Sequence, residues 1–287
     1  MEAGMKRFMT IVVGLCVMAA GAVPAAGTHV SAKGGRPERI VSLNLCADQL
    51  LLVLADRKQI AGLTRNADDP ELSAEAAKAR GLPILSASAE EILAIDPDLV
   101  IGMPASRSAA IGALQSQNYR TLDLKSATSL KDITDAIRDV AAATGHPERG
   151  EALVARMEAD LAAIPSRGQG KIAAYYQRRG YMTGTGTLID DLMQRAGLVN
   201  LAAKLGKPPL AQVSLEEIVA ARPDYLIVES ATDRVRDQGT EMLHHPALDG
   251  IARISIPQSW TVCGGPAYVK AARGIAKQIA RSTPTAR

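Results

Sequence analysis

Residues with obvious chemical capability are few in this chain, and their spacing suits no familiar reaction. Gly184-Thr185-Gly186-Thr187-Leu188-Ile189 is half of a dinucleotide fingerprint, in which paired glycines bring a pyrophosphate onto a helix N-terminus. Ile189 stands where the third glycine belongs, and residues 177–183 separate Gly184 from the preceding strand. The string therefore reads as a tight turn and helix cap. The sequence holds no phosphate-loop Gly-Lys-Ser/Thr, no Gly-x-Ser-x-Gly elbow, no His-Glu-x-x-His and no Cys-x-x-Cys. Of the four histidines, His29 lies near the amino end, His146 sits in a Gly-His-Pro turn, and His244 and His245 are adjacent, so their side chains diverge and suit a turn better than a metal. Asp68-Asp69-Pro70 reads as a turn and N-cap cluster. No catalytic residue, resident metal or cofactor is expected, and no enzyme activity.

Recognition is the remaining chemistry. In open α/β sheets ligands bind just past the carboxyl ends of strands. Strands read at 39–43, 60–64, 99–103, 171–175, 225–228 and 253–256 place candidate ligand residues Asn44 and Cys46, Arg65, Arg107, Tyr176, Arg178, Tyr181, Trp260 and Cys263 on one cleft. Trp260 is the sole tryptophan, in a chain with one Phe and six Tyr, and flat rings suit a large ligand face. Arg65, Arg107, Arg178 and Arg179 share the post-strand position, which points to an anionic or oxygen-rich ligand.

The elements that must position these residues form a repeat. Glu90-Glu91-Ile92-Leu93-Ala94-Ile95-Asp96-Pro97-Asp98-Leu99-Val100-Ile101 returns as Glu216-Glu217-Ile218-Val219-Ala220-Ala221-Arg222-Pro223-Asp224-Tyr225-Leu226-Ile227. Each copy reads as a short helix, a turn before proline and a buried strand, and each follows an earlier apolar strand, so two similar α/β lobes are expected. Between them, 129–165 is helical throughout. From Pro147, the residues Leu153, Val154, Met157, Leu161 and Ile164 fall on one helix face, giving a stiff rod of about 25 Å. The expected organisation is a leader over 1–26, a first lobe over 27–145, a linker helix over 146–165 and a second lobe over 166–287, with the ligand cleft between lobes.

The leader is read from Lys6 and Arg7, the apolar stretch 8–23 and the small residues Ala25 and Ala26, the layout of a secretory signal peptide. Export to the periplasm is expected. Beyond it remain Cys46 and Cys263, for which three readings stand: two packed thiols, an inter-lobe disulfide, or thiols touching the ligand or its metal. The 33 Lys and Arg against 30 Asp and Glu form no basic block, so nucleic acid is not an expected partner.

With Arg-Ile-Val-Ser-Leu at 39–43, the Glu-Glu-Ile-Leu-Ala-x-x-Pro-Asp-Leu-Val box at 90–100, the long inter-lobe helix and Val213-Ser214-Leu215-Glu216-Glu217 before the second Arg-Pro-Asp strand, the chain resembles the helical-backbone substrate-binding proteins of ABC importers. That group includes the vitamin B12 and ferric-siderophore receptors. The resemblance implies a ligand between two lobes, little hinge motion, and one glutamate per lobe, Glu90 and Glu216, docking on arginines of a permease dimer in the inner membrane. The aromatic box of the cobalamin receptors is kept only in part: Trp260 and a tyrosine at 175 or 176 match rings, whereas 83–89 has no tryptophan and Leu210 stands where a ring is expected. The ligand expected is a metal chelate, a ferric siderophore ahead of a cobamide, bound by a monomer. An exported enzyme or sensor on the same two-lobe fold is the alternative class.

Overall fold

The computed structural model describes residues 35–282 except 87, 114–116 and 118. The leader expected over 1–26 lies outside the described residues. The first sheet and its helices follow in the order β1 (Ile40–Ser42), α1 (Leu45–Leu54), β2 (Ile60–Thr64), α2 (Ala76–Ala79), β3 (Ile84–Leu85), α3 (Ala89–Ile95), β4 (Leu99–Gly102), α4 (Ala109–Ala113), β5 (Thr121–Asp123) and α5 (Leu130–Ala143). All pairings are parallel, in the spatial order β3-β2-β1-β4-β5. The linker helix α6 (Pro147–Ala162) leads to β6 (Ile172–Tyr176), β7 (Tyr181–Thr183), α7 (Leu188–Arg195), β8 (Val199–Asn200), α8 (Leu201–Lys204), β9 (Leu210–Gln212), α9 (Leu215–Ala221), β10 (Tyr225–Glu229), α10 (Gln238–Glu241), β11 (Ala252–Ile256) and α11 (Ala267–Ser282).

The second sheet, β11-β10-β6-β7-β9 with β8 also on β6, is mixed. Residues 177–183, expected as a long loop, are instead a hairpin: β7 returns antiparallel to β6, pairing Tyr175 with Thr183 and Tyr176 with Met182. Its turn is made by Arg179 and Gly180 at φ +59° and +76°, a left-handed pair that reverses the chain within three residues.

The repeat seen in the sequence is a repeat of local structure. Ser88 and Ser214 each cap a seven-residue helix, and Glu91 and Glu217 close a capping box in each copy. Both helices end on a left-handed residue, Asp96 at φ 49° and Arg222 at φ 46°. The next carboxylates anchor the central strands: Asp98 accepts from the N–H groups of Glu38 and Arg39, and Asp224 from that of Ile172.

The lobes share one core. A continuous buried cluster runs from Ile40, Leu50 and Ile101 through Ile133, Leu153 and Met157 to Tyr175, Ile254 and Tyr268. Leu153, Val154, Met157 and Leu161 of α6 are buried in it, contributing about 1.5–3 kcal/mol each. The exposed ion pair between Arg138 of α5 and Glu151 of α6 adds at most about 1 kcal/mol. Apolar packing therefore holds α6, and the linker is a wall rather than a hinge. No helix among the described residues is long and apolar enough to cross a membrane.

Candidate functional site

A half-open hollow of about 310 Å³ lies where the carboxyl edges of the two sheets face each other. The first lobe contributes Cys46 from the start of α1, Met103 after β4, and Ser126 and Ala127 after β5. The second contributes Tyr175 and Gln177 at the end of β6, Thr183 of β7, Glu229 at the end of β10, and Gln258 and 261–264 after β11. Thr187, Leu188 and Ile189 close it at the start of α7. Larger hollows of about 370 and 420 Å³ open beside α6 and touch no carboxyl strand edge.

The three readings of the cysteines resolve: Cys46 and Cys263 form a disulfide, with Cα atoms 5.2 Å apart, that joins the lobes at the hollow's wall. Beside it, Gly264 packs so close to Ala127 that a Cβ would sit 2.3 Å from the alanine's own. Only glycine allows that approach.

Strand alternation decides which tyrosine meets the cleft. Ala173 and Tyr175 face the core shared with the first lobe, and Ala174 and Tyr176 face the opposite, outer cluster. Tyr176, expected after the strand, is its last residue, is fully buried, and donates to the Val213 carbonyl. Burial pushes its phenol up to about 12, with Glu216 and Glu217 adding to the shift. Tyr175 takes the cleft position instead. Its hydroxyl lies 3.4 Å from both Glu229 Oε1 and Thr261 Oγ1, and burial raises its pKa strongly. Burial also raises the Glu229 carboxyl, against the lowering effects of the Tyr175 hydroxyl and Arg178.

Several expected ligand residues are engaged elsewhere. Asn44 caps α1, accepting from the N–H groups of Cys46 and Ala47. Arg65 is exposed and outside the lining. Arg107 ends the turn Ala105–Arg107, and its side chain is outside the described set. Arg178 pairs with Asp237. Trp260 packs on α11, its ring against Gly274, and is absent from the lining. Tyr181 is 40% exposed, shares the β7 face of Thr183 and is outside the lining. Cys46 and Cys263 do line the hollow. The acceptors and donors missed from sequence, Glu229, Thr183, Thr187 and Thr261, share one signal: all close a strand or cap the element after it.

The turn at 184–187 is the cap expected. Thr187 accepts from the Asp190 N–H, and Asp190 is fixed in turn by the Gly186 N–H and the Asn200 amide. His245 caps its own turn and His244 bonds to the Thr232 carbonyl. Among the described residues no cluster of His, Cys, Asp and Glu is placed to hold a metal ion.

Glu90 and Glu216 are exposed in the first turns of α3 and α9. Their own backbone N–H groups, then the Ser88 and Ser214 hydroxyls, hold both carboxyls below the usual range. β3 runs parallel to β2, and β9 runs antiparallel to β7, which opposes β6. The chain therefore leaves β3 and β9 at the carboxyl edges, and Ser88 and Ser214 follow within three residues. Both glutamates sit on the rim of the inter-lobe face.

Two α/β lobes on a shared core, with a hollow between their carboxyl edges, define a two-lobe binding protein. The chain belongs to the periplasmic binding protein family, whose model matches residues 40–252; its members are substrate-binding transport proteins, not enzymes, found in the periplasm or outside the cell. A cobalamin-binding protein of Halobacterium salinarum is 27% identical over 205 residues, covering 69% of this chain and 56% of that protein, so the chain spans little more than half of that relative's length. A vitamin B12-binding protein of Pectobacterium carotovorum subsp. carotovorum is 23% identical over 86% of this chain and 90% of its own. Among solved structures, the periplasmic heme-binding protein of Roseiflexus sp. RS-1 in apo form is 26% identical, with a TM-score of 0.68 over 84% of this chain and 97% of that one.

Proposed function

We propose that this chain is the periplasmic solute-binding component of an ABC importer, capturing a metal chelate, a ferric siderophore first, and delivering it to a permease dimer. The observation that carries the reading is the hollow at the facing strand ends, walled by Tyr175, Gln177, Glu229 and a disulfide that fixes the lobes. Among the described residues its polar lining of hydroxyls, two carboxamides and a carboxyl group suits an oxygen- and amide-rimmed chelate, and Tyr175 is the one ring in it. The ligand-binding set is revised to Tyr175, Gln177, Thr183, Thr187, Glu229 and Thr261, with Cys46 and Cys263 in the wall. Glu90 and Glu216 are the docking residues. The chain works as an exported monomer after loss of 1–26, with lobes over 27–145 and 166–287 joined by 146–165.

A cobamide is the second reading, supported by the names of the relatives from Halobacterium and Pectobacterium. Calorimetric titration of the purified mature chain with a ferric hydroxamate siderophore and with cyanocobalamin decides. Micromolar or tighter binding of the siderophore supports the first reading, and binding of cyanocobalamin alone replaces it with the second. No binding of either, nor of a ferric tris-catecholate, removes the chelate importer reading.

A further inference from the structure

The hollow has a charge character that the sequence did not suggest. Post-strand arginines pointed to an anionic ligand, yet among the described residues no Lys or Arg lines the hollow, and Glu229 is the one acid there. Glu229 ends β10, half-buried, with the Tyr175 hydroxyl 3.4 Å from Oε1. The cation whose field reaches it is Arg178, and that guanidinium is paired with Asp237. A ligand entering between Tyr175, Gln177 and Thr261 thus meets hydroxyls, a carboxamide and a carboxyl group. Hydrogen-bond donors and positive charge are matched there, whereas an anion is opposed in a partly desolvated space, where like charges repel more than in water.

We propose that Glu229 sets the charge selectivity of the cleft, admitting chelates that present hydrogen-bond donors or positive charge and rejecting polyanionic ones. This rests on the chelate reading above and narrows it: within ferric siderophores, a cationic or neutral trishydroxamate fits, and a tris-catecholate complex carrying three negative charges does not. Rejection is as much a part of specificity as attraction, because a receptor discriminates by the difference between two affinities. The Arg178–Asp237 ion pair serves the same end, since Asp237 occupies the guanidinium that would otherwise welcome an anion.

Calorimetry on the mature chain at neutral pH separates the possibilities, with ferrioxamine B as the cationic probe, cyanocobalamin as a net-neutral one and ferric enterobactin as the trianion. Wild type should bind ferrioxamine B or cyanocobalamin and bind the trianion at least about tenfold more weakly. Glu229→Gln, nearly the same shape, should weaken the preferred probe about tenfold and narrow the gap to the trianion. Glu229→Asp, which keeps the charge, should keep the order of preference. A thermal midpoint for each variant close to wild type establishes that the fold is intact. Trianion binding by wild type as tight as the other probes, or an unchanged preference in Glu229→Gln, overturns the assignment while leaving the chelate reading standing. If wild type binds none of the three, the chelate reading fails and this one with it.

Discussion

Cys46 and Cys263 stand 217 residues apart in the chain, one on each lobe, and are joined by a disulfide in the wall of the cleft. The bond closes residues 46–263 into one loop and complements α6, which joins the lobes through packed apolar side chains. Cleft geometry is thereby held by a covalent link as well as by a shared core.

Closing so long a loop removes unfolded-state entropy worth about 5 kcal/mol at most, with 2–4 typical of measured disulfides. The mature protein purified without reductant should titrate with no free thiol, and the Cys46→Ser/Cys263→Ser double variant should melt roughly 5–15 °C lower. Two free thiols in unreduced protein, or an unchanged midpoint in the variant, would show that the link is not made or not stabilising.

Tyr175 and Tyr176 are neighbours with opposite duties. Tyr176→Phe leaves the Val213 carbonyl without its buried donor and should cost about 1–2 kcal/mol of stability with ligand affinity unchanged. Tyr175→Phe removes a hydroxyl that faces the hollow, so affinity for the bound chelate should fall about five- to tenfold with the melting midpoint nearly constant. Paired melting and calorimetry check both, and the reverse pattern would mean that the strand register has been misassigned.

That pair also shows how far the sequence could be read. The helix–turn–strand words at 90–101 and 216–227 were legible because capping, proline and β-branched runs are local signals, and the structure repeats them down to the left-handed Asp96 and Arg222. The strand at 171–175 was legible too, but it runs through Tyr176, and a shift of one residue turns a side chain from one face to the other. The hairpin after it was missed because β7 has three residues and its turn relies on Arg179 at positive φ, which sequence does not announce. Position after a strand likewise fixes where a residue starts and not where its side chain ends: Arg178 is met by Asp237, 59 residues on. The cysteines were legible as a pair, while their bond depended on how the lobes meet.

Asp48 is fully buried in α1, accepting from the Thr64 N–H and hydroxyl. Burial raises its carboxyl from 3.8 to about 6, despite those hydrogen bonds. A raised acid favours the folded state below its unfolded pKa, and the advantage is lost as pH climbs through the folded value. The stability of wild type relative to Asp48→Asn should therefore decline between about pH 4 and pH 6, by on the order of 3 kcal/mol in all. Chemical denaturation of both proteins across that range measures it. A constant difference would mean that Asp48 titrates normally.

Glu90 and Glu216 place one exposed carboxylate on the rim of each lobe, in matched first turns whose capping work is done by the following glutamates. Helix starts favour acids by themselves, so the recurrence has a local explanation, and the two roles must be separated by where a loss appears. As helix supports, Glu90→Ala and Glu216→Ala would slightly lower the melting midpoint and leave uptake intact. As docking residues, each should leave fold and ligand affinity unchanged and weaken the complex with the permease, more so at low salt, where exposed charge pairs are strongest. Because the two lobes would engage two permease subunits, the second contact forms at a high effective concentration once the first is made, and removing both should cost far more than either alone. Co-purification of wild type and the three variants with the permease, alongside whole-cell uptake, reads the difference. Full uptake by the double variant would remove the docking role and leave only the helix caps.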